Sequence, residues 1–591
     1  MMRPRVIVLA FLIVTMAGPS GIQAQQPAPW RPTVMTMNGM VAAGHPMTAE
    51  VGLRVLQQGG NAIDAAIAAW FTQGQVEPGS TGLGGDMFIL FYDAKTKEVR
   101  FINGSGPAPM AATADFYRSK GGMPREGPLS VEVPGAVGSA VLAAETYGTM
   151  PLNEILEPAI EIAEQGFPIT NRLASSLEGA KEKLGKFSST RKIWFKGDRP
   201  FRVGEVLVNK DLAQTLRSIA SQGAEAFYRG EIAQMSLDYL KANGGIHELS
   251  DWAAYHAHED TPIVTTYRGI EVYECPPNSQ GHVMLQAMNI LEGFDLRYMG
   301  HNSAPYLHVV TEALKLSFAD RNRYNGDPRV VPTIPMAELL SKEYAAVRRA
   351  LIEPDRAFEG EPAPGNPRQL VASESALAYA SPQPVPDTVN PWNEDEVLNL
   401  TTYLNVVDKD RNMVSITSSL LSGFGSGMVV EGAGYLLNNR MAYFWLDPEN
   451  VNVLEPGKRV RQTINPALAL KDGKPYMVFG TPGADTQPQT QLQFFLNVVE
   501  FGMGVQQALE QPAVISRSFE PSYYPHEVEG TLLTPTALPE HVQQSLAALG
   551  HKLDLRPSRG VGSNKAVVVH PETNVLMGGV SPTGDSYVMG W

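Results

Sequence analysis

Residues 401–419 read TTYLNVVDKDRNMVSITSS, in which the alternating runs TTYLNVV and NMVSITSS flank the polar turn DKDRN. Period-two alternation of β-branched and aromatic residues around such a turn predicts a β-hairpin. The chain leading into it has the opposite character. From Glu353 to Asn399 prolines accumulate, small polar residues replace periodic apolar ones, and the acidic run Glu394-Asp395-Glu396 appears. That composition predicts an extended, poorly ordered connection over 354–400. The hairpin therefore starts abruptly, on the pair Thr401-Thr402. On composition alone the pair expresses only the β-propensity of threonine.

Outward from this hairpin, strands recur on both sides of a helical middle. GMVAAGHPMTAEVGLRVLQQGGNAIDAAIAAWFTQGQVEP reads as a strand followed by helices, with Val51, Val55, Leu56 and then Ile63, Ala66, Ile67, Trp70 at helical spacing. A glycine loop, TGLGGD, precedes the apolar run Met87 to Tyr92, and Val99 to Ile102 follows a polar turn, which predicts a strand pair. Residues 151–350 are mostly helical by pattern, SAPYLHVVTEALKLSFADRNRYNGDP being the clearest long helix. PALALKDGKPYMVFG reads as a second hairpin and QTQLQFFLNVVEFG as a helix. Strands on either side of helices favour a mixed layered architecture over a helical bundle.

With 43% hydrophobic and 18% charged residues in 591, the chain has ample material for a large core. It opens with MMRPRVIVLAFLIVTMAGPSGIQAQQ: two arginines, an apolar run from Val6 to Ala17, and a small residue at Ala24. This is the pattern of a secretory signal peptide over 1–24, cleaved after Ala24, which implies a periplasmic or secreted protein with no membrane association once the signal is removed. The apolar run is shorter than the roughly 20 residues that span a bilayer. Cys275 is the only cysteine, so no intramolecular disulfide can form. A formal charge of −14 argues against a general nucleic-acid partner or an anionic membrane surface, both of which demand basic patches.

Several chemistries are excluded by their missing signatures. No phosphate-loop lysine motif, H-E-x-x-H helix or G-x-S-x-G elbow is present, so neither a metal nor another cofactor is expected. TGLGGD reads as a tight turn rather than a phosphate cradle, and His256, His258 and Glu259 in YHAHED as a solvated loop rather than zinc ligands. Threonine is a weak nucleophile unless a base adjoins it. Scission between Leu400 and Thr401 would give Thr401 an α-amino group, of unperturbed pKa near 8, within reach of its own hydroxyl. One residue would then supply nucleophile and base.

The stretches GGNAIDAA, GLGGDMF, VPGAVGSAVLAAETYGTMPL, FADRNRYNGDP, TTYLNVVDKD, GFGSGMVVEGAGYLLNN, PGKR and GTPGAD occur in this order. Together they resemble the γ-glutamyltranspeptidase family over nearly the whole chain after the leader. The resemblance implies an N-terminal-nucleophile hydrolase with a four-layer αββα sandwich. It also implies a precursor that cuts itself into a large subunit, residues 25–400, and a small catalytic subunit, residues 401–591. Thr401 is then similar to the family's nucleophile, and Ser419 falls where a second threonine bonds it. Thr417, on the same strand face by alternation, is a plausible supporting hydroxyl. Gly483 and Ala484 fall at the paired glycines whose N–H groups form an oxyanion hole. Alanine is tolerable there provided the backbone does not need positive φ.

The substrate-binding positions depart from the family. Ser105 lies where an arginine would bind the α-carboxylate, Leu421 where an asparagine is expected, and Arg440 and Tyr443 where a glutamine and an aspartate hold the amino-acid end. The serine pair reads Gln462-Thr463. An unpaired substrate charge would cost several kcal/mol, which disfavours free γ-glutamyl groups. Arg440 could bind a carboxylate bidentately or be a surface or structural arginine. The variants resemble an amidohydrolase or cephalosporin-acylase-like subgroup, which implies hydrolysis of an acyl or dicarboxylyl amide, or transfer of the acyl group to an amine. A true γ-glutamyltransferase or glutathione hydrolase, and a non-catalytic binding scaffold, are the alternatives. The expected partners are a small-molecule amide or peptide substrate and the two subunits themselves.

Overall fold

The computed structural model describes residues 29–331, 333–370, 401–557 and 562–591. The expected signal peptide, 1–24, and most of the expected connection, 371–400, lie outside them. Two seven-stranded, wholly antiparallel sheets form the centre. The first runs Tyr587–Gly590, Met40–Ala43, Thr402–Val407, Met413–Ser419, Asp86–Asp93, Glu98–Gly104, His258–Asp260. The second runs Val34–Thr36, Leu576–Val580, Lys565–Val569, Lys474–Gly480, Ala467–Lys471, Ile270–Glu274, Ile263–Tyr267.

Strand alternation sorts side chains into the layers. In Asp86–Asp93, Met87, Ile89 and Phe91 join the core under the helices Ala62–Val76 and Ala136–Tyr147, while Phe88, Leu90 and Tyr92 turn toward the second sheet. There they meet Leu468, Val478, Val567 and Val569. On the far side, Met477, Phe479, Ala566 and Val568 pack against His282–Leu291, Ala304–Tyr324 and Gln487–Val499. Three apolar interfaces separate four layers, so the αββα sandwich is the observed fold. Each large side chain buried at them contributes about 1.5–3 kcal/mol.

The expected hairpin forms, with Thr402 opposite Ser418 and Val407 opposite Met413. Its outer edges pair with Met40–Ala43 and Asp86–Asp93, both from chain preceding residue 400. A cut before Thr401 would leave the two pieces interleaved in one sheet. Asp408 ties the hairpin end to the helix beside it, accepting from Asn412 Nδ2 at 2.7 Å and from Ala62 N, at the start of Ala62–Val76, at 3.0 Å. Asn61 and Asp64 complete a capping box on that helix.

Three expectations change. The middle of the chain also contributes the edge strands His258–Asp260 and Ile263–Tyr267 and the adjoining Ile270–Glu274, too short to register among the surrounding helical patterns. YHAHED is therefore part strand: His258 pairs with Asn103 and takes Arg459 Nη1 at 2.8 Å, while His256 takes Arg229 Nη2 at 2.9 Å. The connection is not loose from residue 354. Phe358 N donates to Glu312 Oε2 and Gly365 N to Asp320 Oδ1, each at 2.7 Å, which lays this stretch along the Ala304–Tyr324 helix. Among the described residues no helix is long and apolar enough to cross a membrane.

Candidate active site

Thr401 stands immediately before the Thr402–Val407 strand, on the face it shares with Tyr403, and is 3% exposed. Its hydroxyl donates to Ser419 Oγ at 3.1 Å, and Leu421 N donates to the same oxygen at 2.8 Å. The hairpin register makes this meeting inevitable: with Thr402 opposite Ser418, the residues just outside that pair face each other. TGLGGD is the turn expected, and its glycines permit a close approach. A Cβ on Gly85 would sit 2.5 Å from the Ser419 carbonyl oxygen, and one on Gly84 2.1 Å from that of Leu436. Thr417 shares the Ser419 face, but its Oγ1 has no hydrogen-bond partner among the described residues. It gives neither Thr401 nor Ser419 the support expected of it.

Gly483 and Ala484 follow the Lys474–Gly480 strand at φ +123° and +50°. The backbone does require positive φ at Ala484, so the condition under which alanine was harmless fails. The left-handed conformation costs roughly 1–2 kcal/mol for a residue with a Cβ. Among the described residues neither N–H is donated to another protein group, which leaves both available to a developing oxyanion. The loop is braced from behind. Gln280 Nε2 donates to the Ala484 carbonyl at 3.1 Å and to that of Thr463 at 2.9 Å, and Arg321 donates to Gln280 Oε1 at 2.7 Å and Asp485 Oδ1 at 2.5 Å. Ser522 N completes Asp485 at 2.7 Å.

The positions expected to bind substrate bond chiefly to one another. Gln462 Nε2 donates to Asp86 Oδ2 at 2.6 Å and Ser105 Oγ at 3.0 Å, and Asn278 Nδ2 donates to the same Ser105 oxygen at 3.0 Å. Arg440 lies with Nε 3.2 Å from Asp86 Oδ2 and donates through Nη2 to the Ser419 carbonyl at 3.2 Å. It is fully buried and paired, hence a structural arginine, neither a surface one nor a free fork for a substrate carboxylate. Tyr443 OH and Thr463 Oγ1 lie 3.0 Å apart. Leu421 and Tyr443 pack in an apolar cluster with Met441, Phe444, Leu454 and Val460.

Two acids completing this cluster escaped sequence reasoning. Asp86 was visible as a lone charge at the head of an apolar strand, and Glu132 as one in LSVEVPGAV. Glu132 is wholly buried, and neither of its carboxyl oxygens accepts from a donor among the described residues. Burial first, then the Asp86 charge, hold its pKa well above the ordinary carboxyl value, with Arg440 and Arg459 opposing.

A model of the gamma-glutamyltranspeptidase family matches residues 48–591. The chain belongs to the γ-glutamyltranspeptidase family. It is 35% identical to the glutathione hydrolase-like YwrD proenzyme of Bacillus subtilis (strain 168), over 94% of this chain and 99% of that one. It is 34% identical to the acylase ACY 1 proenzyme of Pseudomonas sp. (strain SE83), over 90% of each. The crystal structure of cephalosporin acylase from Bacillus halodurans superposes with a TM-score of 0.84 at 34% identity, covering 98% of this chain and 99% of that one. As a member of the family, the protein is a self-processing hydrolase or acyltransferase of the N-terminal-nucleophile type, and a threonine nucleophile is typical of such enzymes.

Among the described residues one other group has metal-ligating side chains in reach of one another: His308, Glu312 and His551. Its donors are already engaged. His308 Nδ1 lies 2.9 Å from His551 Nε2, and Lys315 Nζ places an ammonium 2.8 Å from Glu312 Oε1.

Proposed function

We propose that the chain is exported on residues 1–24, cuts itself before Thr401, and hydrolyses or transfers an acyl group other than γ-glutamyl. The arginines ahead of the apolar leader support export. The mature enzyme would comprise residues 25–400 and 401–591. Thr401 gives its hydroxyl proton to its own α-amine while Oγ attacks the amide carbonyl. Ser419 orients the hydroxyl, and the Gly483 and Ala484 N–H groups receive the oxyanion. The proton passes to the departing nitrogen, the C–N bond breaks, and an ester on Thr401 remains. Water or an acceptor amine then resolves it.

The observation that carries the choice of acyl group is the closed Asp86–Arg440–Gln462–Ser105 cluster. An α-amino acid brings an ammonium and a carboxylate, and both must find partners in a dry site. Here the charged side chains at those positions already answer one another. The neighbouring wall of Leu421 and Tyr443 suits an acyl group with an apolar body. Simple acyl amides are therefore the favoured substrates, ahead of dicarboxylyl amides, whose second carboxylate would also need a partner. Denaturing electrophoresis of the purified protein should give two fragments, and Thr401→Ala should leave one chain without turnover. In a parallel screen of γ-glutamyl-anilide, glutaryl-amide and simple acyl-amide substrates, the γ-glutamyl compound should be turned over worst. Its being turned over best would overturn the reading.

A further inference from the structure

Behind the first strand of the hairpin, on the opposite face from Thr401, lies a second polar cluster outside the machinery described above. Thr402 Oγ1 donates to Glu77 Oε2 at 3.1 Å, Gln73 Nε2 donates to Thr402 Oγ1 at 2.7 Å, and the same Gln73 nitrogen reaches Glu77 Oε2 at 2.6 Å. The triangle is closed. Gln73 and Glu77 lie four residues apart, on and just past the Ala62–Val76 helix, and so share one face of it. Trp70, one turn earlier, extends the same grip to the partner strand, its Nε1 donating to Ser418 Oγ at 3.0 Å.

The fold makes room for this acid. A Cβ on Gly44 would lie 2.3 Å from Glu77 Oε2 and 2.4 Å from Oε1, so the backbone of residue 44 comes within the space a side chain would need. Basic groups also face Glu77. Buried His45, whose Nε2 has no partner among the described residues, has its pKa lowered by burial against the opposing pull of Glu77 and Asp585. Lys565, fully buried and donating to Ser563 O at 2.9 Å, is brought down to about 8 by burial, with Glu77 opposing and Arg172 reinforcing. Glu77 therefore stands as an acid between a buried histidine, a buried lysine and the residue that follows the scissile bond.

We propose that Glu77, with Gln73, is a positioning residue: by fixing Thr402 it aims the α-amine that Thr401 gains on cleavage, and its charge sets the protonation of that amine. The assignment rests on the reading of Thr401 as nucleophile and base. Bond lengths limit the separation of the Glu77 carboxylate from the Thr401 nitrogen to about 11 Å. Glu77 is half-buried, and at the effective dielectric near 20 that suits a pair close to the surface a unit charge at that distance shifts a pKa by about one unit. A nearby carboxylate favours the ammonium form, so its removal lowers the pKa of the amine. The neutral base then survives to lower pH.

Glu77→Gln keeps an acceptor and removes the charge. It should process itself, and the acid limb of its kcat/KM profile should move down by about one pH unit. Thr402→Val, which keeps the β-branched shape but breaks the triangle, should lower kcat about 10-fold or more with KM little changed, and Thr402→Ser should restore it. A merely structural contact would not move the acid limb. An E77Q precursor that never cuts itself, an E77Q limb at the wild-type position, or T402V with wild-type kcat overturns the assignment. Thr401→Ala, assayed alongside, separates the two readings. If T401A is dead while E77Q and T402V behave as wild type, only the role of Glu77 falls. If T401A turns over substrate, the reading on which it rests falls as well.

Discussion

At the scale of single residues, the site holds side chains in backbone conformations that suit them poorly. Leu421 adopts φ +86° and Ala484 φ +50°, both in the left-handed region. Leu421 is where an asparagine was expected, and asparagine tolerates this region where leucine does not. As an oxyanion donor Ala484 would need only its main-chain N–H, so the methyl group would contribute strain without chemistry. Ala484→Gly should therefore raise the urea midpoint by an amount equivalent to up to about 1 kcal/mol and leave kcat within a few-fold. An unchanged or lowered midpoint would mean that Gln280 and Arg321, rather than local preference, set the loop. The contact of Thr401 with Ser419 could be expected from the sequence because the hairpin register brings them together, their roles being implied by the family resemblance alone. That of Arg440 could not, since its partner Asp86 lies more than three hundred residues away, and nothing local says whether an arginine faces a substrate or an acid.

Among the elements, the hairpin and the Ala62–Val76 helix were legible because their apolar periods and flanking turns are local. Strands of three to five residues were not, since so short a run carries no resolvable period. The segment 354–366 reads as disordered by composition, yet its backbone N–H groups find buried carboxylates on the Ala304–Tyr324 helix. Composition reports average burial, not the partners of individual N–H groups. The turn before Asp86–Asp93 tests element placement most sharply. Gly85→Ala would drive a methyl group to 2.5 Å from the Ser419 carbonyl oxygen. It should cost about 1–3 kcal/mol by thermal or urea denaturation. It should also slow self-cleavage by displacing Ser419, and wild-type stability with wild-type cleavage would contradict the packing described.

Across the whole molecule, four layers put the Thr401 hairpin in the middle of the first sheet, clamped by strands that precede residue 400 on both edges. Burial on this scale also fixes how stability responds to acid. His282 and His551 are held to about 3, chiefly by burial and then by neighbouring cations. Their unfolded forms take up protons below about 6.5, whereas the folded forms do not until about 3. The stability they permit is thus present above about pH 6.5 and is lost as pH falls, each costing about 1.4 kcal/mol per pH unit. Glu361, raised to about 7 mainly by burial, works the other way between its ordinary value and pH 7. Because Glu132 and Glu274, held well above the ordinary carboxyl value by burial, add to this opposing effect, the histidines show best by difference: between pH 6.5 and 4.5 the urea midpoint should decline less steeply with acid in His282→Gln, and more steeply in Glu361→Gln, than in the wild type. An unchanged slope in His282→Gln would show that this histidine is not buried in its neutral form.

The claim on which everything else depends is that the chain begins again at Thr401 and that this residue carries the acyl group. Tandem mass spectrometry of the small fragment, after brief exposure to a slowly deacylating acyl substrate, tests both halves at once. The small fragment should begin at Thr401 and carry one acyl group on that residue. A fragment with a different first residue, an intact chain, or an adduct on any other side chain would contradict it.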